Sequence, residues 1–266
     1  MKRIAIGMET SGATRDAVIA LGHSAISIDV LAHQHGGPHH VGDVFEFHDK
    51  DSAFDAGIYH PTCTYHAGSA SWAFNEPDFV RYPGVGYHQR LKPETLTGSA
   101  RWEARRQAEE DVRRLRHLPF PKVIENPVGT LSHPRNLGPA HQIVQPYDFG
   151  SDASKKTCLW FFDANGKPMP TRLPIDRALF VPPRMWCPTC RACSPYSTAF
   201  GYGCPCGAEA GLLRPRWGNQ TDGGQNKVTP GELRWQVRSD TYPGIAAALA
   251  KVMTSLSPST TTTWTA

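Results

Sequence analysis

The chain has 266 residues, 39% hydrophobic and 20% charged, enough to bury a full core and too apolar for an intrinsically disordered protein. A formal net charge of +4 leaves room for a local anion-binding face, because the basic residues are unevenly spread. No apolar run approaches the ~20 residues that a membrane-crossing helix needs, and Met1-Lys2-Arg3-Ile4 moves straight into a strand-like segment, so a cytoplasmic protein is expected.

Residues 3–8 read as a buried strand ending in Glu9-Thr10-Ser11-Gly12. Ala13, Ala17, Val18 and Leu21 then follow helical spacing, with Gly22 as the stop. Strand, glycine turn and helix open a βαβ unit of the nucleotide-binding kind, although the turn holds one glycine where such loops usually hold more. The next strand, 24–28, ends in Asp29, where an acidic residue can hydrogen-bond a ribose diol. His33, His35, His39 and His40 read as a solvated loop rather than a metal site, since no cysteine or carboxylate flanks them. Gly42-Asp43-Val44 follows.

Asp55 to Tyr59 is a strand leading into His60-Pro61-Thr62-Cys63-Thr64-Tyr65. Residues 66–100, with Trp72, Phe74, Tyr82, Pro83 and Tyr87, read as a long loop with a partial helix. Residues 99–117 form a helix with Trp102, Ala108, Val112 and Leu115 facing inward. Its arginines (Arg101, Arg105, Arg106, Arg113, Arg114 and Arg116) form a solvated face or contact phosphate. A strand at 121–124 precedes Glu125-Asn126-Pro127; further strands lie at 142–145 and 155–162, the latter with Cys158 as core. A helix runs from Tyr242 to Met253, and 257–266 is a frayed tail of mostly Ser and Thr.

In an open α/β sheet the chemistry sits at the carboxyl ends of strands. Cys63 just past one strand and Glu125 just past another can therefore share a crevice, the thiol as nucleophile and the carboxyl as acid. Taken singly, each has another reading: a small buried thiol, and a turn-forming Glu-Asn-Pro.

Five of the seven cysteines fall between 187 and 206. Cys187-Pro-Thr-Cys190 and Cys204-Pro-Cys206 bracket thirteen residues, a spacing that suits a tetrahedral zinc site, with Cys193 able to replace one ligand. Reduced free thiols are the other reading. Arg184, Arg191, Arg214, Arg216 and Trp217 around the cluster would suit nucleic acid.

The order of glycine turn, acidic strand end, Gly-Asp, Pro-x-Cys and Glu-Asn-Pro resembles the cytosine-5 DNA methyltransferases. The closest likeness is to small, divergent phage-encoded members, through His60 to Tyr65, Glu125 to Pro127, Gln145 to Gly150 and Lys156 to Trp160. Pro61-Thr62-Cys63 stands where the family has Pro-Pro-Cys, Glu-Asn-Pro where it has Glu-Asn-Val, and Lys155-Lys156-Thr157 where it has Gln-x-Arg-x-Arg.

The resemblance implies an α/β, Rossmann-like S-adenosylmethionine-dependent methyltransferase sheet with helices on both faces, over 1–165. A zinc-stapled, loop-rich target-recognition module would span 166–235, and a helix packing back on the core 236–256. It further implies that Glu9, Thr10, Ser11, Gly12, Asp29, Asp43 and Pro61 hold S-adenosylmethionine, the first helix's N-terminus favouring its carboxylate. Cys63, Glu125 and Asn126 would be catalytic, and Thr64, Tyr65, Lys155, Lys156 and Thr157 would meet a flipped-out or single-stranded cytosine of DNA. Cys187, Cys190, Cys204 and Cys206 would bind Zn2+. Two other outcomes are carbon-5 modification by another group or of a nucleotide, and an inactive zinc-containing DNA-binding relative.

Overall fold

A computed structural model describes residues 1–76, 95–191, 193–194, 204, 206–222, 224, 226–228 and 240–256. Tyr82, Pro83, Tyr87 and the tail from 257 lie outside the described residues, as does the side chain of Cys193.

The chain folds as a mixed α/β protein around a mostly parallel seven-stranded sheet, compatible with a Rossmann-like fold. Its strands are β1 (Arg3–Gly7), β2 (Ser24–Asp29), β3 (His39–Val41), β4 (Ala56–Tyr59), β5 (Lys122–Pro127), β6 (Gln142–Val144) and β7 (Thr157–Phe162). They lie in the order β3-β2-β1-β4-β5-β7-β6. β7 alone runs backwards, wedged antiparallel between β5 and β6.

Alternation along each strand divides the core in two. Ile4 and Ile6 point to one face, where α1 (Ala13–Ala20) and the terminal helix α4 (Pro243–Ser255) bring Val18, Ile245, Leu249 and Met253. Ala5 points to the other, where α2 (Val44–Lys50) and α3 (Gly98–Arg116) bring Phe45, Val112 and Leu115. With helices on both faces, all six residues of β7 are buried, so the strand reads as a continuous apolar run. Each large side chain buried this way stabilises by about 1.5–3 kcal/mol. At Gly244 a Cβ would fall 1.9 Å from the Phe149 carbonyl oxygen, so only glycine lets α4 seat this closely.

Several expectations need correcting. His39 and His40 sit on edge strand β3 rather than in a loop. α2 was not expected; Asp43 starts it by capping. Leu21 and Trp102 are exposed at 45% and 46%; Trp102 packs against Phe74 on the outside of α3. Glu125, Asn126 and Pro127 belong to β5 itself, because pairing with β7 continues to Pro127 opposite Thr157.

A second, three-stranded antiparallel sheet joins β8 (Arg184–Trp186), β9 (Cys193–Ser194) and β10 (Arg214–Arg216) in the order β10-β8-β9. Met185, Cys187, Cys204 and Leu213 form its small core. It docks on the 3-10 turn after β6 through Trp217, whose ring stacks on Tyr147 at 4.3 Å, while its Nε1–H donates to the Val181 carbonyl just before β8. Asn219 exchanges two 3.0 Å hydrogen bonds with the backbone of Ser154, next to Lys155. Among the described residues no helix is long and apolar enough to cross a membrane.

Candidate functional site

Strand order reverses between β1 and β4, and a cleft of about 300 Å³ opens at the carboxyl ends of β1, β2, β4 and β5. The β1–α1 turn supplies Glu9, Thr10 and Ser11 to its wall, β2 Asp29, and the start of α2 Asp43. Pro61 and Cys63 come from beyond β4, Glu125 and Asn126 from β5, and Lys155 from the segment before β7.

The turn after β1 bends sharply at Met8, which holds a positive φ of 60°. Glu9 then folds over the start of α1: its Oε1 accepts from the Thr14 amide at 2.9 Å and the Ser11 hydroxyl at 3.2 Å. The helix N-terminus, expected to favour a ligand carboxylate, is therefore already held by Glu9. Among the described residues its other oxygen, Oε2, is buried with no hydrogen-bond partner, an acceptor whose solvation cost is uncompensated. Gly12 does not line the cleft. A Cβ there would come within 2.4 Å of the Arg15 guanidinium, which is buried and bonded to Ser27 and the Gly36 carbonyl.

Asp29 accepts the Leu31 amide at 2.9 Å, and burial raises its pKa despite that bond. Asp43 caps α2 through Oδ1, taking the Phe45 and Glu46 amides at 2.8 and 3.0 Å.

The Cys63 loop is held from three sides. The Cys63 carbonyl accepts the His66 and Ala67 amides at 3.1 and 3.0 Å. Asn126 donates to the Pro61 carbonyl at 2.7 Å, tying β5 to the loop. Arg101 and Arg105 donate to the Thr64 and Tyr65 carbonyls. These two arginines are thus not a solvated face; Arg101 is 3% exposed. Thr64 is exposed and Tyr65 half-buried, both off the cleft wall. Lys156 is exposed, and Thr157 is buried in β7.

His60 has no role that the sequence alone assigns. Its Nδ1–H donates to Glu125 Oε2 at 3.0 Å, with the side chains 8% and 10% exposed. Burial pushes the Glu125 carboxyl up, but the His60 hydrogen bond, Lys155 and Thr157 outweigh it and hold the pKa below its usual value. Burial likewise pushes the His60 imidazole down, and Glu125 outweighs it upward. A histidine one residue beyond a strand's end, in line with a cysteine, was the available sign. Asp240 and Thr241, which also line the cleft, gave none, since they arrive from the far end of the chain.

In the small sheet, the Cys187 and Cys206 sulfurs lie 3.7 Å apart and those of Cys190 and Cys204 3.5 Å apart, all four within 4.8 Å. Four thiolates about 2.3 Å from one tetrahedral ion stand about 3.8 Å from each other. The backbone N–H groups of Cys190 and Thr189 point at the Cys187 sulfur and draw its pKa down to about 6. The Cys206 N–H acts in the same sense on Cys204, but burial and the neighbouring sulfurs push that thiol up to about 12. Four sulfurs this close ionise together only around a cation, and the set can hold a metal ion such as zinc.

No protein-family model matches the chain, and a comparison with curated proteins finds no match.

Proposed function

We propose that the protein is a cytosine-5 DNA methyltransferase that uses S-adenosylmethionine. One observation carries the reading: Cys63 and Glu125, from the ends of adjacent strands, line the same cleft as Asp29 and Asp43. A nucleophile and a carboxylate thus sit beside groups suited to a nucleoside-bearing donor.

The cleft fits that donor on its own chemistry. Five carboxylates (Glu9, Asp29, Asp43, Glu125 and Asp240) face one lysine and one histidine, which favours a cationic ligand. The unpartnered Glu9 Oε2 is an acceptor for an ammonium, and Asp29 can take ribose hydroxyls. Ile28, Val30, Leu31 and Val44 offer an apolar wall for a purine. When bound, the donor supplies an electrophilic methyl group on sulfur.

The protein's part is to make cytosine carbon-5 nucleophilic enough to receive that methyl. Cys63, as thiolate, adds to carbon-6, while Glu125 relays a proton to N3 and so draws off the charge. The loop bonds from Asn126, Arg101 and Arg105 hold Cys63 in place, which counts because attack depends on position. Lys155 at the rim can meet a phosphate. The target base reaches the cleft only when flipped out of the duplex or single-stranded.

Zinc held by Cys187, Cys190, Cys204 and Cys206 shapes the second sheet, and the exposed Arg184, Arg191 and Arg214 on it give DNA a basic surface. The dock of Asn219 on Ser154, next to the cleft residue Lys155, supports reading the module as the part that meets DNA around the target base.

The test is mass analysis of nucleosides after purified protein, S-adenosylmethionine and cytosine-containing DNA are incubated together. 5-Methylcytosine is expected with the wild type and not with Cys63→Ala. A product of another mass would reassign the group transferred, and no product from folded, donor-bound wild type would overturn the reading.

A further inference from the structure

The pair that joins β4 to β5 has a consequence for where the reaction's proton comes from. Besides the 3.0 Å bond from Nδ1 to Glu125, His60 has the Thr241 hydroxyl 3.4 Å from Nδ1 and the Thr14 hydroxyl 3.4 Å from Nε2. Thr14 is in turn tied to Glu9 through its amide. The charged groups facing the imidazole are Glu125 on β5, Glu9 in the β1–α1 turn and Lys155 before β7, with Asp240 facing Glu9 and Lys155. Two carboxylates against one lysine favour the protonated ring, and the protonated ring keeps Glu125 ionised. An ionised carboxylate cannot itself hand a proton to a ring nitrogen.

Resting on the methyltransferase reading, we infer that His60 stores the proton that Glu125 delivers to cytosine N3, so that the acid of this site is a histidine–carboxylate pair. As the Cys63 thiolate forms its bond to carbon-6, the ring's charge moves to N3, which takes a proton from Glu125; Glu125 takes the His60 proton, leaving a neutral imidazole. Once carbon-5 carries the methyl group, water takes the carbon-5 proton, that bond's electron pair re-forms the carbon-5–carbon-6 double bond, and the carbon–sulfur bond breaks to release the Cys63 thiolate. N3 then returns its proton to Glu125 and His60. No oxidant or other co-reactant is needed. His60 is a positioning and proton-storing residue that acts through Glu125.

The same addition and reversal exchanges the carbon-5 hydrogen of cytosine with solvent, which permits a test without any donor. Exchange into a single-stranded oligonucleotide in D2O is followed against pH, and histidine NMR reads the charge of His60. The wild type should hold the His60 proton to a higher pH than a free imidazole does, lose it more easily in Glu125→Gln, and slow its exchange on the alkaline side at the same pKa. His60→Gln keeps an amide that can donate to Glu125 but stores no proton; it should lose that alkaline limb and exchange about 10²-fold more slowly at pH 7. A melting curve checks that it is folded. Should His60 in the wild type lose its proton at or below the pH at which a free imidazole does, or should folded His60→Gln keep the wild-type rate and limb, the proposal is overturned. If the wild type exchanges nothing while His60 titrates as expected, the methyltransferase reading fails and takes this proposal with it.

Discussion

Arg101 donates to the backbone carbonyl of Thr64 at 2.7 Å, spanning 37 residues of chain to reach the residue after Cys63. With Arg105 on the Tyr65 carbonyl at 2.8 Å, one face of α3 serves as a brace for the cysteine loop. Phe74 lies against both guanidinium groups, at 5.0 and 3.7 Å.

Arg101→Met should therefore strand a carbonyl and loosen the loop. A loss of about 1.5–3 kcal/mol in urea denaturation is expected, the range for a hydrogen bond to a charged group. Covalent trapping of Cys63 by 5-fluorocytosine DNA should slow by at least about tenfold, with donor affinity unchanged. Unaltered trapping would show that the brace is not needed for attack.

Metal analysis under reducing conditions should find about one zinc per chain. Cys190→Ser should lose that metal and expose the Trp217 side of the small sheet to protease, while the seven-stranded sheet keeps its far-ultraviolet signal. Stoichiometric zinc in that variant would place the ion elsewhere.

Glu9→Gln keeps an oxygen for the Thr14 amide but gives up the negative charge whose second oxygen is unpartnered. Calorimetry should show S-adenosylmethionine binding weakened by about 1.5–3 kcal/mol, the range for a charge-assisted bond. Asp29→Ala should weaken it through the ribose hydroxyls, by about 1–3 kcal/mol. Equal affinity in wild type and Glu9→Gln would remove Glu9 from the donor site.

His66 sets an acid limit on stability. It is 1% exposed, and burial, helped by the Arg105 charge, draws its pKa down to about 4. Unfolded, the ring protonates near 6.5. Acid therefore protonates the unfolded chain first, so stability falls between pH about 6.5 and about 4, by at most about 3 kcal/mol. His48 and His141, also lowered by burial, add to the slope. In His66→Gln, denaturation midpoints measured across that range should fall less steeply; an unchanged slope would assign the limit elsewhere.

Sequence pattern reveals this molecule best where a residue's surroundings are set by its neighbours in the chain. The runs at 3–8, 24–28 and 55–59 alternate or stay apolar because they are strands, and the long helix announces itself through Ala108, Val112 and Leu115. The cysteine pairs were legible because tight turns present thiols at a fixed spacing. Arg101 was not, since its polar partners are backbone carbonyls of another segment, which no side-chain pattern encodes. Nor was the extent of β5: Glu-Asn-Pro looks like a strand's end until β7 pairs beside it. His39 to Val41 and Val44 to Lys50 are too short for periodicity to register.

The packing of α1 against α4 has a bearing on how the chain is made. Val18 of the first helix shares one buried cluster with Ile245, Leu249 and Met253 of the last. During synthesis the opening βαβ unit must wait, with that apolar face uncovered, until more than two hundred further residues have left the ribosome. β6 waits as well, because its only pairing partner among the described strands is β7, which is translated after it. Contacts of such long sequence separation slow folding, and a nascent chain in this state is one that chaperones can be expected to hold.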